Sequence, residues 1–460
     1  MSQFSDKIAR RIFSVCLLLA LIGAGFVYGS VATRKHLFPA PQLELTYDIL
    51  TTLGHNDLTS HPRRHHLQPS RGMGAGVTIN KIGDDGALVF MAGFFDDENQ
   101  ARLVHRDGRV MRKWTLDYFT HFPDAGTRVC ALASTLNVDQ HGALVTPKGE
   151  VVFNYEYCGT VKLSPCGEVV WTLNERTHHS IVPASGGGYW LLGRQRWLDS
   201  DAPDRMPPFS ASASGLEIKE DTILKISEAG EIEQEVSIPK ILRDAPLEAL
   251  LTANGADFSR HAHDRDELVH SNKVGELPAA YAAAFPQFET GDLLVSMRDL
   301  NLVMVVDPVS WDVKWHQTGP WLRQHDPEFR PDGRISIFNN NVYRTDYPGE
   351  VLDLDTPKTT NITAVEPASG EIEVLFGEAP GQEMLSAIRG QHEILPDGGM
   401  VIAEFDGGRV IQTSAEGEVV WEYVNAFDDA HVGEITNADV HPSGYFETAW
   451  ETCPQPQPQP

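Results

Sequence analysis

The chain has 460 residues, with 64 Asp and Glu against 37 Lys and Arg and a formal charge of −27. Binding phosphate needs a basic face, so this balance argues against a nucleic-acid partner; the only basic patch read in the chain, Arg63, Arg64, His65 and His66, is short and falls in a linker. The 39 Gly and 29 Pro suit a turn-rich β protein better than a helical one.

Residues 1–35 stand apart from the fold. Lys7, Arg10 and Arg11 precede an uncharged, mostly apolar run from Ile12 to Ala32, and Arg34 and Lys35 follow it. A run of about 20 residues spans a bilayer, whereas a cleaved signal has an apolar core of about 7–15. The length favours an uncleaved anchor. Ser30 and Ala32 also offer a small-x-small cleavage pattern, so a cleaved signal stays open. Either way the basic start stays in the cytoplasm and the bulk of the chain is periplasmic or extracellular. Residues 36–75 read as a linker, within which QLELTYDIL (42–50) could supply a closing strand.

From 76 to 452 the chain repeats a short apolar strand, a turn and a second strand that often ends in Trp. The copies are RLVHRDGRVMRKW (102–114), TVKLSPCGEVVW (160–171), TILKISEAGEIEQEV (222–236), LVMVVDPVSWDVKW (302–315), ITAVEPASGEIEVLF (362–376) and VIQTSAEGEVVWEY (410–423). The alternation has period 2, as half-buried antiparallel strands require. Between the copies runs a second hairpin type with Pro and Gly at its turn: TPKGEVVFNY, PASGGGYWLLG, RPDGRISIF, LPDGGMVIAEF and HPSGYFETAW. Two hairpins per unit and six units describe an all-β, six-bladed β-propeller behind an N-terminal transmembrane helix. LRDAPLEALLTANGADF (242–258) and LPAAYAAAFPQ (277–287) read as helical or irregular insertions, and the Pro/Gln tail, 453–460, as disordered.

Cys16 lies in the apolar run, which leaves Cys130, Cys158, Cys166 and Cys453. An exported chain permits disulfides. Cys158 and Cys166 could close a small loop in CGTVKLSPC; free thiols, or a pairing with Cys130, remain open.

A propeller gathers the ends of its inner strands around a central channel, so residues distant in sequence converge there. His141 and His325 both begin a QH-x5-P-x-G pattern, and His179 and His392 both lie four residues before a turn Pro. His270 sits in DELVHSNKV, ahead of an insertion and another strand. Each of the five could enter an inner strand from the same rim. Singly, a histidine is more often a capping or core residue; the recurrence is what points to a channel. Such a ring could bind metal or transfer a group covalently. Close-spaced zinc ligands are missing, so no metal is expected. No phosphate loop, dinucleotide fingerprint or nucleophile elbow appears either, and no cofactor is expected. The stretch QHDPEFRPDGRISIFNNNVYR reads as a hairpin that brings His325 and Arg344 toward one end.

DELVHSNKV, then a strand pair ending VKWHQTGP, then QHDPEFRPDGRISIFNNNVYR, resembles the bacterial aryl sulfotransferase family, whose order is HxNS, VKW, QH, then a strand ending FDNG and an Arg. The resemblance is good from His270 to Arg344 and rests elsewhere on the blade repeat. It implies a six-bladed periplasmic propeller that moves a sulfuryl group between phenolic compounds, an aryl sulfate and a phenol, through a histidine. It matches His270 and His325 to two channel histidines of the family and Arg344 to its sulfuryl-binding arginine. A neutral imidazole is a nucleophile near neutral pH, a forked and permanent cation suits sulfuryl oxygens, and a second His can protonate the leaving oxygen. The family's FDNG is FNNN here. Its nucleophile lies in a later strand, where this chain offers His392, His431 and His441; His392 has the best strand placement. The alternative is a membrane-anchored propeller without catalysis that binds a ligand or a protein partner, since fold alone does not establish function.

Overall fold

The computed structural model describes residues 2–35, 37–40, 43, 66–124, 129–130, 138–198, 217–253, 268–342, 360–447 and 453. The chain divides into two units, Met1–Arg64 and His65–Pro460. The first carries the helix Ser2–Lys35. Within it, Arg10–Thr33 is apolar over 24 residues. At 1.5 Å per residue that is about 36 Å, enough to cross a hydrocarbon core of about 30 Å. Phe13, Leu19 and Phe26 are exposed along it, as a lipid-facing helix requires.

The second unit is a ring of six antiparallel sheets. In chain order, blade two is formed by Gln140–Val145, Val151–Tyr155, Gly159–Leu163 and Val169–Leu173. Blade three is Thr177–Pro183, Tyr189–Leu198, Glu217–Ile226 and Ile232–Ser237. Blade four is Ser271–Glu276, Leu293–Met297, Leu302–Val306 and Val313–Thr318. Blade five is His325–Phe329, Ile335–Asn339, Asn361–Val365 and Ile372–Phe376. Blade six runs through Gln391–Ile394, Met400–Glu404, Arg409–Thr413 and Val419–Val424. Blade one combines Leu88–Phe95, Glu98–His105 and Val110–Thr115 with a fourth strand from the far end of the chain, Ile435–His441. The first strands of blades two to six and Ile435–His441 touch one another in a cycle, so they line the channel.

Closure of the ring is where the structure departs from the repeat. Among the described residues no strand follows the turn of HPSGYFETAW; the strand that ends at His441 pairs instead with Leu88–Phe95, with Ile435 opposite Gly93 and His441 opposite Leu88. Gly76–Asn80 adds a fifth strand to the outer edge of blade six. Both ends of the unit thus latch the ring. The expected closing segment 42–50 lies outside the described residues. The insertion expected near 242–258 begins earlier, as two short helices, Ile238–Asp244 and Glu248–Ala253.

The outer hairpins follow from their turn residues. Gly108, Gly167, Gly230, Gly370 and Gly417 hold φ between 75° and 90°, where a side chain is disfavoured. Blade four has no glycine at this turn, and Trp311 takes φ of 66°. Its ring packs edge-on against Trp190 of the neighbouring blade, which helps hold the conformation. The Trp that ends several copies reaches the next blade. Trp114 donates its indole N–H to Ser164 O, Trp171 to Glu228 O and Trp421 to Arg106 O. The last of these spans the closure between blades six and one. Six apolar clusters fill the six interfaces; between blades one and two, for example, Phe90 and Leu103 pack with Val151 and Phe153.

The disulfides are Cys130–Cys158 and Cys166–Cys453, with Cα separations of 5.2 and 5.3 Å. The small loop Cys158–Cys166 is excluded because the two residues flank opposite ends of the strand Gly159–Leu163. Five strand residues span about 16 Å, and a disulfide needs about 4.4–6.8 Å.

Candidate functional site

The repeated Gln-His pair divides its labour. Each Gln clips its strand to a neighbouring blade. Gln324 donates to Ser296 Oγ, Met297 O and Leu302 O, at 3.0–3.2 Å. Gln140 accepts from Thr436 Oγ1, and Gln391 accepts from the Ala438 N–H at 2.9 Å. With the Gln fixed, the following His is set at the head of its strand.

His141 and His325 meet His179 and His270 in the channel. The His179 ring lies 3.9 Å from that of His141, 5.2 Å from His270 and 6.1 Å from His325, centre to centre. His178, its chain neighbour, stands 5.0 Å away. All five are buried. His179 and His270 hold φ of 52° and 46°, backbone strain of the kind found at functional sites. A cavity of about 310 Å³ opens among His141, His179, His325 and Arg389 and continues down to Lys273 and Asp439. That is room for a small aromatic ligand.

His141, His179 and His325 are held toward the neutral form. Burial pushes the His325 ring down to about 3, helped by the nearby Arg298 guanidinium. Burial, with Arg389 and the other rings, holds His141 well below its ordinary value, and burial with His141, His178 and His270 does the same for His179.

The partners of His325 and His270 define the tautomers of these two rings. Asn340 donates through Nδ2 to Ser386 O at 2.9 Å and Arg389 O at 2.8 Å. Its Oδ1 therefore accepts, and the partner at 2.7 Å is His325 Nδ1. His325 then carries its proton on Nδ1 and a lone pair on Nε2. His270 is set the opposite way. A guanidinium only donates, and Arg298 Nη2 lies 3.0 Å from His270 Nδ1. The His270 proton is on Nε2. One ring offers a nucleophilic nitrogen and the other a hydrogen-bond donor.

His392 is placed differently. Its side chain is fully buried between blades five and six, with Nε2 2.7 Å from Ser336 Oγ. Its backbone N–H donates to Asp326 Oδ2 at 2.7 Å, and it does not line the cavity. The difference comes from the strand. The inner strands bearing His141, His178–His179, His325 and, just before its start, His270 all carry a β-bulge near the histidine. Gln391–Ile394 pairs in regular register. An extra residue turns a side chain to the other face, so the same Gln-His pair faces oppositely in blade six. There the rim is held by Arg389, which donates to Asp139 Oδ2 at 3.0 Å and Glu156 Oε2 at 2.7 Å. Arg344 lies outside the described residues; Asn340, four positions before it, is in the site.

Sequence reasoning passed over Arg298, Arg389 and Asn340. Arg298 follows the strand of GDLLVSMRD directly, and Arg389 stands two residues before the Gln of blade six, as Arg323 stands one before that of blade five. These neighbours were the available signal.

The cavity is electrically polarised. Below the histidines, Lys273 donates to Asp326 at 2.7 Å and to Glu328. Deeper, burial and the neighbouring Asp439 push Glu393 up to about 8, and burial with Asp326 beside it pushes Asp439 up to about 7. The floor carboxyls are thus held toward their neutral forms, and an anionic group is favoured at the arginine-flanked histidine end. Among the described residues, no three His, Cys, Asp or Glu side chains are arranged to hold a metal ion. A larger groove, about 1,090 Å³, lies between the outer edges of blades three and four. It holds none of the channel histidines, and a cation in it, Lys314, is already paired with Asp292 at 2.8 Å.

Comparison with known proteins bears on this geometry. No curated protein matches the chain. Among solved structures, a protein of unknown function from Bacteroides caccae is 11% identical and aligns over 77% of this chain and 98% of its own, with a TM-score of 0.47. Virginiamycin B lyase from Staphylococcus aureus is 10% identical over 66% of this chain and 84% of its own, with a TM-score of 0.34. Kuenenia stuttgartiensis hydrazine synthase is 11% identical over 75% and 77%, with a TM-score of 0.40. Likenesses this distant say nothing of chemistry. The family model for arylsulfotransferase (ASST) matches residues 139–426, more than half of the chain and every blade from two to six. The chain is therefore a member of the arylsulfotransferase family.

Proposed function

We propose that this protein transfers a sulfuryl group from an aryl sulfate to a phenol through a covalent intermediate on His325. The observation that carries the reading is the bare Nε2 of His325, a ring that burial keeps neutral and Asn340 orients at the cavity wall. In the first half, that nitrogen attacks sulfur, the S–O bond to the ring breaks, and the phenolate leaves against the Nε2–H of His270. In the second half, a phenol oxygen attacks the sulfur of sulfohistidine, and the S–N pair returns to His325. Nothing but the two phenols and one sulfuryl group is exchanged. Arg298 places positive charge beside the sulfuryl oxygens, and Arg344 is assigned the same task from its match to the family motif. His392 is assigned the support of Asp326 and Ser336 rather than contact with substrate.

The propeller, residues 76–452, is placed outside the cytoplasm and tethered by helix 1–35. Two disulfides suit an oxidising compartment, and Lys7, Arg10 and Arg11 ahead of the apolar run suit a cytoplasmic N-terminus. Membrane fractionation with N-terminal sequencing tests the tether: a mature start beyond Ala32 would make the helix a cleaved signal.

The test of function mixes the purified protein with p-nitrophenyl sulfate and phenol and follows p-nitrophenolate. Phenol-dependent release that disappears in His325→Asn is the expected result. No release by folded protein, across several donors and acceptors, would leave a propeller that binds without catalysis.

A further inference from the structure

The hub of the cluster, His179, is assigned no part in sulfuryl transfer above, yet its ring is hydrogen-bonded to a neighbour that is itself anchored. His178 Nδ1 and His179 Nδ1 are 2.8 Å apart, so one of them must donate. The far side of His178 decides which. Its Nε2 faces Gly193 O at 3.3 Å and Asp221 Oδ1 at 3.8 Å, both acceptors. His178 therefore carries its proton on Nε2 and accepts at Nδ1, and His179 donates from Nδ1. That leaves a lone pair on His179 Nε2. Asp221 is itself fixed, receiving Arg194 Nε at 2.7 Å on Oδ1 and the Ser271 N–H at 2.7 Å on Oδ2. The series Asp221, His178, His179 has the logic of an oriented base: a buried acceptor, an intermediate imidazole and a terminal imidazole facing substrate.

We propose that His179 is the general base for the acceptor phenol, with His178 as its positioning residue. The inference rests on the sulfuryl-transfer reading of the same cavity. The His179 and His325 rings are near-parallel, 26° apart in plane and 6.1 Å between centres. The rings are close enough for one phenol oxygen to lie in contact with both. As the phenol oxygen bonds to sulfur on His325 and the S–N bond breaks, the phenol proton passes to His179 Nε2. The positive charge is shared through the Nδ1–H toward His178, whose Nε2–H points at Asp221. The proton is then lost to solvent, where it balances the phenolate released in the first half, so no net proton is consumed.

The experiment uses the intact protein with p-nitrophenyl sulfate as donor and two acceptors. One is phenol, un-ionised at neutral pH; the other is a dinitrophenol, already ionised and in no need of a base. Products are read by mass spectrometry. In His179→Asn the burst of p-nitrophenolate from the first half should stay within about threefold of wild type. Transfer to phenol should fall about 100-fold or more, the usual worth of a general base, and transfer to the ionised acceptor should barely change. His178→Gln should show the same acceptor selectivity in weaker form, and it serves if His179→Asn does not fold. Equal losses with both acceptors, or loss of the burst, overturn the proposal. A wild-type protein with no burst at all rejects the sulfuryl-transfer reading instead. The nitrogen-15 spectrum of histidine-labelled protein then decides the rest: a His179 ring protonated on Nε2 overturns the relay, and one protonated on Nδ1 upholds it.

Discussion

Replacing Asn340 with Leu removes the group that fixes the His325 tautomer while keeping a side chain of similar size. Two buried groups lose a hydrogen-bond partner, the His325 Nδ1–H and Arg389 O; Ser386 O keeps the Thr360 hydroxyl. At about 1–3 kcal/mol for each unsatisfied group, the fold should lose about 2–6 kcal/mol. The effect on rate follows from one of those bonds. If the hydrogen bond to Asn340 favours the Nδ1–H tautomer by about 1–3 kcal/mol, the reactive form falls by about 5- to 150-fold. Stopped-flow measurement of the p-nitrophenolate burst, beside a thermal melt, reads both quantities on one sample. The burst rate should fall within that range with little change in donor affinity, whereas His325→Asn abolishes it. A folded Asn340→Leu protein with an undiminished burst would refute the argument, because the tautomer of His325 would not then limit the attack.

Acid should weaken the fold through the same ring. With the His325 ring held at about 3 against 6.5 when unfolded, the unfolded chain binds more protons in between. Stability is then complete above 6.5 and falls on acidification, by about 2 kcal/mol at about pH 5 from this residue, and denaturant titrations of wild type and His325→Asn should differ by that slope. Glu393 acts in the opposite sense. Its carboxyl is pushed up to about 8, so its neutral form favours the fold below the ordinary carboxylate range and is lost as pH rises through 8. Glu393→Gln should gain stability relative to wild type between about pH 5 and pH 9, and a parallel profile would count against a buried, strained carboxyl. Cys166→Ser paired with Cys453→Ser opens a link across 287 residues and should cost about 2–5 kcal/mol in a denaturant titration. Trp421→Ala removes a fully buried ring and its bond to Arg106 O at the closure of the ring, and should cost about 3–5 kcal/mol.

What the sequence determined by itself is local. Strand alternation, the glycines of the outer turns and the recurring Trp are set by residues within a few positions of one another, and six copies of that pattern imply six blades. The same short-range spacing put His141, His179, His270 and His325 at the heads of inner strands. What the tertiary structure decided is what depends on distant residues or on a single inserted one. A strand from the far end of the chain completes blade one, because Ile435–His441 pairs with the edge of Leu88–Phe95 that Glu98–His105 leaves open. Cys166 meets Cys453 across the fold instead of its near neighbour, since a strand holds Cys158 out of range. His392 shares the Gln-His pair of His325 yet faces into the wall, for want of a bulge that turn-to-turn spacing does not disclose. The division of protons among His325, His270 and His179 rests on Asn340, Arg298 and His178, and side chains approaching one ring from other strands and loops leave no periodic trace in the chain.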